Sequence, residues 1–591
     1  MNTCPDIATL RTIIPASSAE LIEVFSYYPD WNGDDKLQSG GGVFIASNEP
    51  GLIDDAGIYI KPDAQWTWVR VLNDTSLVSP NMFGARGNGV ADDTQALTAA
   101  FLTSYGTVCQ QGATYMTSDT VLIKNGQNAR KIINLNGATI KAKAGHLKPF
   151  FASKANSPTS EKYDYLRGVE MFGGRLYGWA KRESVYHQVS EHNGFVAGDK
   201  SYFYHMTVRG FCDGMVLMGT SVAFDVNIDE CRDNLVVVKN DDNMVSNITG
   251  GYCLGDGVLV KGNKNIVAKV TIAGAGIPAS TFEPGYVSGS IIAIGQDVEL
   301  DGATSDCYVI DVKCETWGGG GVIVDGVNNF CDNIKAGDCY YLEQTNASAI
   351  RNGAPAVYTG GSNHRVNNVT VGHCIRGVEM HSGSVANLID NVTIASCRVH
   401  PGLSASGPQS NSRIGKLTFG RLMGNNALDI SMSDLVIDQI VVNEYASAFG
   451  SGGSLCRINK PATIGSLIFN SQSANNMLPV VLMEANASID NLVVNKNKAV
   501  CLQTAATVTQ LPQNLTIQQT EDAIDSAVKL FGNGASYVKT WQIKGNPAVL
   551  PAIRGTDTQL TIEHYPSDSL PWKVTYPPQS KVTILNSTLI V

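Results

Sequence analysis

Charge is scarce in this sequence. Asp, Glu, Lys and Arg make up 16% of its 591 residues, against about a quarter in ordinary globular proteins. Long apolar runs are missing as well. No stretch approaches about 18 uninterrupted apolar residues, so neither a membrane span nor membrane insertion is expected. No block of lysine and arginine stands out, and the formal net charge is −10. Phosphate-driven binding to nucleic acid is therefore not expected. The start, Met1-Asn2-Thr3-Cys4-Pro5, lacks a basic segment followed by an apolar one, so no secretory signal is read. The 13 cysteines form no Cys-x-x-Cys and no Cys/His cluster of zinc spacing. They read as buried free thiols of a chain made in a reducing cytosol. No metal and no cofactor are assigned.

What is present is an apolar supply of 43% and a high glycine count of 59, the composition of many short strands and turns. A repeat organises it. The segments Val366-Asn-Asn-Val-Thr-Val, Ile389-Asp-Asn-Val-Thr-Ile, Ile414-Gly-Lys-Leu-Thr-Phe, Ile437-Asp-Gln-Ile-Val-Val, Ile464-Gly-Ser-Leu-Ile-Phe and Ile489-Asp-Asn-Leu-Val-Val follow one pattern. Their starts are 23, 25, 23, 27 and 25 residues apart. Upstream, Cys231, Cys253, Cys339, Cys374 and Cys397 each stand eight residues after a repeat start. A second short β run follows, as in Leu235-Val-Val-Val-Lys and Gly257-Val-Leu-Val-Lys. Repeats this short leave no room for crossover helices. They predict an all-β parallel β-helix whose turns stack about 4.8 Å apart.

Alternation then sends Val226, Ile228, Val369 and Val371 inward and Asn227 and Thr370 outward. The level cysteines read as small apolar packing. The sequons at Asn247, Asn368 and Asn391 recur with the repeat, which favours stacked or turn-forming asparagines over glycosylation sites.

Residues before the repeats differ. Gly40-Gly-Gly-Val-Phe and Trp66-Thr-Trp-Val-Arg lead to Phe83-Gly-Ala-Arg-Gly-Asn-Gly-Val-Ala-Asp-Asp-Thr-Gln-Ala-Leu. Asp92 and Asp93 precede the helical spacing of Ala96, Leu97, Ala100 and Phe101, predicting a helix that caps the solenoid's first turn. The glycines Gly84, Gly87 and Gly89 lack the Gly-Lys-Ser/Thr of a phosphate loop.

The stretch Met82–Phe101 and its lead-in resemble the start of the pectate-lyase-like β-helix of bacteriophage tailspikes and capsule depolymerases. That resemblance implies that the β-helix is right-handed and that the protein is a homotrimer on a virion tail. Such a protein is made in the host cytoplasm and acts outside the cell. It degrades capsular, O-antigen or exopolysaccharide chains, usually without a cofactor. It also implies docking to other tail proteins through the N-terminus. No long anchoring domain is read, so any anchor is expected to be short or supplied by another tail protein. The expected division is a lead-in or tail-attachment segment over 1–80, the β-helix with its groove over 81–510, and a terminal cap or trimerisation unit over 511–591.

Function on a solenoid belongs in its long turns. Three are read as enlarged and adjacent. One is Ala275–Gly289 with Glu283 and Tyr286. The next is Glu315-Thr-Trp-Gly-Gly-Gly with Trp317. The third is Tyr340–Pro355 with Tyr340, Tyr341, Glu343 and Arg351. Asp338, His373 and Arg376 flank the third. Glycoside hydrolysis needs one carboxylic acid and one carboxylate, and sugar C–H faces pack on aromatic rings. The expected pair is Glu315 with Asp338 or Glu343, with Glu283 in reserve. Trp317, Tyr340, Tyr341, Tyr286, Arg351, His373 and Arg376 are the expected binding groups, with Trp317 exposed for stacking. A second aromatic region spans Tyr177-Gly-Trp179, Tyr186-His187 and Glu191-His192. Two alternatives stand beside hydrolysis: β-elimination using Lys313, His373, Arg376 or Tyr340, and a non-catalytic adhesion fibre.

Overall fold

The computed structural model describes the chain apart from residues 32–39, 74–76, 127–128, 147, 154–164, 182–183, 185–189, 278–288, 296–303, 341–354, 382, 399–401, 408–410, 425, 447–452, 473–478, 499, 520–527, 531–534, 545–552, 556–558, 565–571, 576–580, 585–588 and 591. At 519 and from 531 onward, only the backbone is described. Two compact units divide it: Met1–Leu259 with Asn263–Ile272 and Pro278–Phe282, and Val260–Gly262 with Ala273–Ile277 and Glu283–Val591.

The first unit opens with a small sheet. Asn2–Asp6 pairs in parallel with Leu21–Ser26, which pairs antiparallel with Gly40–Ser47, and that strand with Thr67–Arg70. The glycines and the Trp-Val-Arg segment prove to be one device. Arg70, 4% exposed, donates to the carbonyls of Gly57, Gly41 and Gly40 at 2.8, 2.6 and 3.0 Å. Burial lowers its pKa to about 10. Gly40 has φ +71°, and a Cβ there would lie 2.1 Å from Asn81 O. Only glycine lets the strand pass that close.

The expected helix forms at Thr94–Leu102 and buries Ala96, Leu97, Ala100 and Phe101. The two aspartates divide the work differently from a simple cap. Asp92 accepts from Thr94 N and Oγ1, at 3.1 and 2.6 Å. Asp93 instead accepts from the backbone N–H of Arg86 and Gly87, fixing the glycine-rich loop before the helix. Buried Lys131 donates to Thr103 O at 3.1 Å and to Tyr105 O. Its ammonium group, whose pKa burial lowers to about 7, thus sits at the helix C-terminus, where carbonyls lack partners.

Beyond the helix the first unit coils into a parallel β-helix. Tyr202–Arg209 pairs with Val222–Asp229, and that strand with Met244–Tyr252, all in parallel. A second sheet, in which Met215–Met218 pairs with Val236–Lys239, closes each turn. The second unit repeats the plan. Its register carries the sequence repeat without slippage: Cys331 stands opposite Val366, then follow Ile389, Ile414, Ile437, Ile464 and Ile489 in one column. Strands continue to pair in parallel through Lys581–Ile584.

Inside each column sit like residues. All 13 cysteines are free and buried, as the packing reading requires. The sequon asparagines have a structural task. Asn368 and Asn391 have φ of 49° and 50°, and Asn333 and Asp311 on earlier turns have 53° and 57°. This left-handed residue bends each of these strands, which asparagine tolerates and most residues do not. The side chains bond from turn to turn, with Asn391 Nδ2 2.6 Å from Asn368 Oδ1 and Asn333 Nδ2 2.6 Å from Asp311 Oδ1. In the first unit Asp225 and Asn247 hold the same place. Replacing Asn391 by Ala is expected to cost about 1–2 kcal/mol in chemical denaturation, and by Gly less. Equal costs for the two variants would show that the backbone bend is not the cause.

Candidate functional sites

The turns expected to build a groove are accounted for unevenly. Glu283, Tyr286, Tyr341, Glu343 and Arg351 lie outside the described residues. The middle turn is described and is not enlarged. Tyr308–Trp317 continues as strand, and the next strand begins at Gly320, leaving only Gly318 and Gly319 between them. Trp317 is a second correction. It is 0% exposed, and its Nε1 donates to Gly337 O at 2.9 Å. It stands opposite Cys339 at the level of the inward cysteines. Placing its indole outward would leave a void in that layer, so the side chain packs and offers no sugar platform.

Glu315 and Asp338 do face outward on neighbouring turns. Thr316 pairs with Asp338, so Glu315 is offset by one residue. The Glu315 side chain is 63% exposed, with Lys313 Nζ 3.9 Å away. Asp338 accepts from the backbone N–H of His373 at 2.9 Å. Arg376 forms an ion pair with Glu379, and Tyr340 is exposed. Glu315, Asp338 and His373 thus lie exposed on successive turns of the second unit, and both described carboxylates lie open to water.

A different constellation forms in the first unit, at the end of its long strands. An open groove of about 560 Å3 is lined by Asn227, Asp229, Glu230, Thr249, Gly250, Gly251 and Tyr252. Gly251 makes the room for it: a Cβ there would lie 1.7 Å from Asp229 Oδ1. Arg209 pairs with Glu230 at 2.8 Å and with Asp229 at 3.7 Å. Tyr252 is 42% exposed beside them, and Tyr177 stands opposite Arg209 on the preceding strand.

The chain leaves this groove through the turn Cys231–Asn234. Here stacked turns bring carboxylates together. Asp213 Oδ1 accepts from Asn234 N and Nδ2 at 3.1 and 2.9 Å. Asn234 Oδ1 accepts from Asp256 N at 2.7 Å. One carboxylate oxygen of Asp213, one of Asp233 and the Cys212 sulfur all lie within 4.8 Å of one another. These are also groups that could share a cation. Burial, then repulsion from Asp213 and Asp256, raises Asp233 to about 7 despite the opposing effect of Arg232. Desolvation of this kind disfavours the carboxylate and keeps the acid protonated.

Sequence reading passed over this turn because Arg232-Asp233-Asn234 is short. Its signal would have been Asp213 and Asp233, about one repeat apart. In the second aromatic region, Trp179 is 42% exposed while Tyr186 and His187 lie outside the described residues. His192 is buried, with Nδ1 2.8 Å from Lys148 O and Nε2 accepting from Trp179 N at 3.1 Å. It is a packing residue, and burial lowers its pKa to about 4.

Comparison with known proteins bears on these parts separately. Among solved structures, the chain is similar to the enzymatically active domain of tailspike protein 2 of bacteriophage CBA120, at 13% identity and TM-score 0.38, over 82% of this chain and 57% of that one. It is also similar to tailspike protein gp49 of Acinetobacter baumannii bacteriophage Fri1, a capsular polysaccharide depolymerase, at 10% identity and TM-score 0.38, over 81% and 75%. A third is Pantoea stewartii WceF, a glycan biofilm modifying enzyme with a bacteriophage tailspike-like parallel β-helix fold. There the identity is 12% and the TM-score 0.23, over 76% and 47%. The chain therefore spans less than two thirds of the length of the first and third. Residues 3–73, the sheet anchored by Arg70, match the family described as the phage tail protein small four-stranded beta-sheet domain. The opening sheet is thus of a phage tail protein type, and the parallel β-helix that follows it in sequence stands on its own strand pairings.

Proposed function

We propose that this chain is a tail component of a phage that cleaves glycosidic bonds within a bacterial surface polysaccharide by hydrolysis. The observation that carries the reading is the Asp233 carboxyl, its pKa raised to about 7 beside Asp213, next in the chain to an open polar groove. Hydrolysis requires two carboxyl groups in opposite protonation states, and differing environments are how proteins separate them. Asp233 protonates the departing glycosidic oxygen. Asp213 carries negative charge, and its nearness suits attack on the anomeric carbon, with the ~5 Å separation used in retention of configuration. Water, deprotonated by Asp233 once it is ionised, then releases the sugar. Tyr252 offers a ring face to the chain, and Arg209, Asp229 and Glu230 offer hydrogen bonds to its hydroxyls.

The N-terminal match supports tail attachment, and a homotrimer acting outside the host cell on the virion remains part of the proposal. A second reading keeps chemistry on the second unit, with Glu315 and Asp338 as the pair, because they face the same side on neighbouring turns. Mass analysis of polysaccharide fragments separates the reaction classes. A gain of water marks hydrolysis, an unsaturated end marks elimination, and an unchanged chain length marks a binding fibre. Amide variants separate the sites. Loss of cleavage in Asp233→Asn and Asp213→Asn, with Glu315→Gln and Asp338→Asn active, supports the first unit. The reverse pattern moves the site to the second.

A further inference from the structure

A row of three side chains on the second unit has chemistry that glycoside cleavage does not use. His373, Ser396 and Arg421 are direct neighbours on three successive turns: His373 stands opposite Ser396, and Ser396 opposite Arg421. His373 Nδ1 lies 2.6 Å from Ser396 Oγ. The row is held at both ends. Asp338 accepts the His373 backbone N–H at 2.9 Å, and Arg421 Nε lies 3.4 Å from Glu444 Oε1. Ser396 is half-buried, while His373 is open to solvent.

We propose that Ser396, with His373 as its base and Arg421 as its cation, is an esterase centre that removes acyl groups from hydroxyls; that these belong to a carbohydrate chain rests on the proposed function. A hydroxyl within hydrogen-bond reach of an imidazole nitrogen is the arrangement that activates serine. A fixed positive group on the far side of the nucleophile is where an oxyanion gains most. In the first step Ser396 Oγ bonds to the acyl carbon and passes its proton to His373 Nδ1. The bond from that carbon to the sugar oxygen breaks, and the sugar oxygen takes the proton. Water then repeats the sequence on the seryl ester, releasing the carboxylic acid and restoring Ser396. No cofactor or redox partner is needed. The strand ladder fixes the row by backbone hydrogen bonds, so the spacing does not depend on a mobile loop.

The test uses the full-length protein with p-nitrophenyl acetate as substrate and a fluorophosphonate as covalent probe. One fluorophosphonate per chain is expected, on the peptide that carries Ser396. Hydrolysis of the ester is expected to fall at least 100-fold in Ser396→Ala and in His373→Gln. Arg421→Gln is expected to lower kcat about tenfold with KM unchanged, as a group acting only in the transition state would. Thermal unfolding of each variant checks that the fold survives. The proposal is overturned if the probe labels no site above the heat-denatured control, or if Ser396→Ala hydrolyses the ester at the wild-type rate.

Discussion

Asp233→Asn is expected to lower kcat for polysaccharide cleavage by about 10²–10⁴-fold, the range that general acid catalysis supplies, with little change in KM. The amide keeps the size and hydrogen-bonding shape of the acid but has no proton to give. Asp213→Asn is expected to lose comparable activity by removing the anion. The pH profile follows from the same environment. Asp233 must be protonated to act, so the basic limb of kcat/KM is expected near pH 7, where the folded acid ionises. Stability also falls as pH rises. The folded pKa lies above the ordinary 3.8, so between about pH 4 and pH 7 the folded state holds the proton that the unfolded state has lost. Stability is then full below the unfolded value and declines as pH rises through the folded one. Asn cannot ionise, so the variant should be more stable than the wild type at pH 8, on the order of 1–3 kcal/mol. Activity lost while stability is gained is the signature of a functional acid. Equal losses of both, measured by denaturant midpoint and initial rate, would show that Asp233 is only a structural turn residue.

Trp317→Ala is expected to cost about 3–5 kcal/mol, the range for deleting a buried aromatic side chain. The indole is fully enclosed, and its N–H bonds Gly337 O on the next turn. Truncation opens a cavity in one layer of the second unit and leaves that carbonyl without its donor. Trp317→Phe should cost less, because the ring still fills most of the space and only the hydrogen bond is lost. The measurement is the denaturant midpoint of purified protein, with soluble yield as a second readout. An exposed stacking residue would behave differently: its removal would raise KM and leave the midpoint unchanged.

The two residues mark where sequence reading reached and where it stopped. The β-helix was legible because every turn has to solve the same packing problem. A column such as Val366, Ile389, Ile414 and Ile437 must be apolar at each level, so the fold prints its period into the chain. The bend asparagines and the level cysteines were legible for the same reason, each recurring at one level over several turns. Trp317 was misread because it occurs once. Beside glycines it looks like a loop residue, and only the register, which sets it opposite Cys339, shows that it points inward.

Asp233 was missed for a related reason. Its pKa depends on how much water the turn excludes and on Asp213 and Asp256, which lie in other turns of the chain. Neither distance is written in local sequence. The sequence by itself therefore determined the period, the inward and outward faces and the general placement of polar side chains. Tertiary structure alone decided which polar groups meet. Electrostatic coupling falls off over a few ångströms, and a shift of one position in register would have set different neighbours side by side.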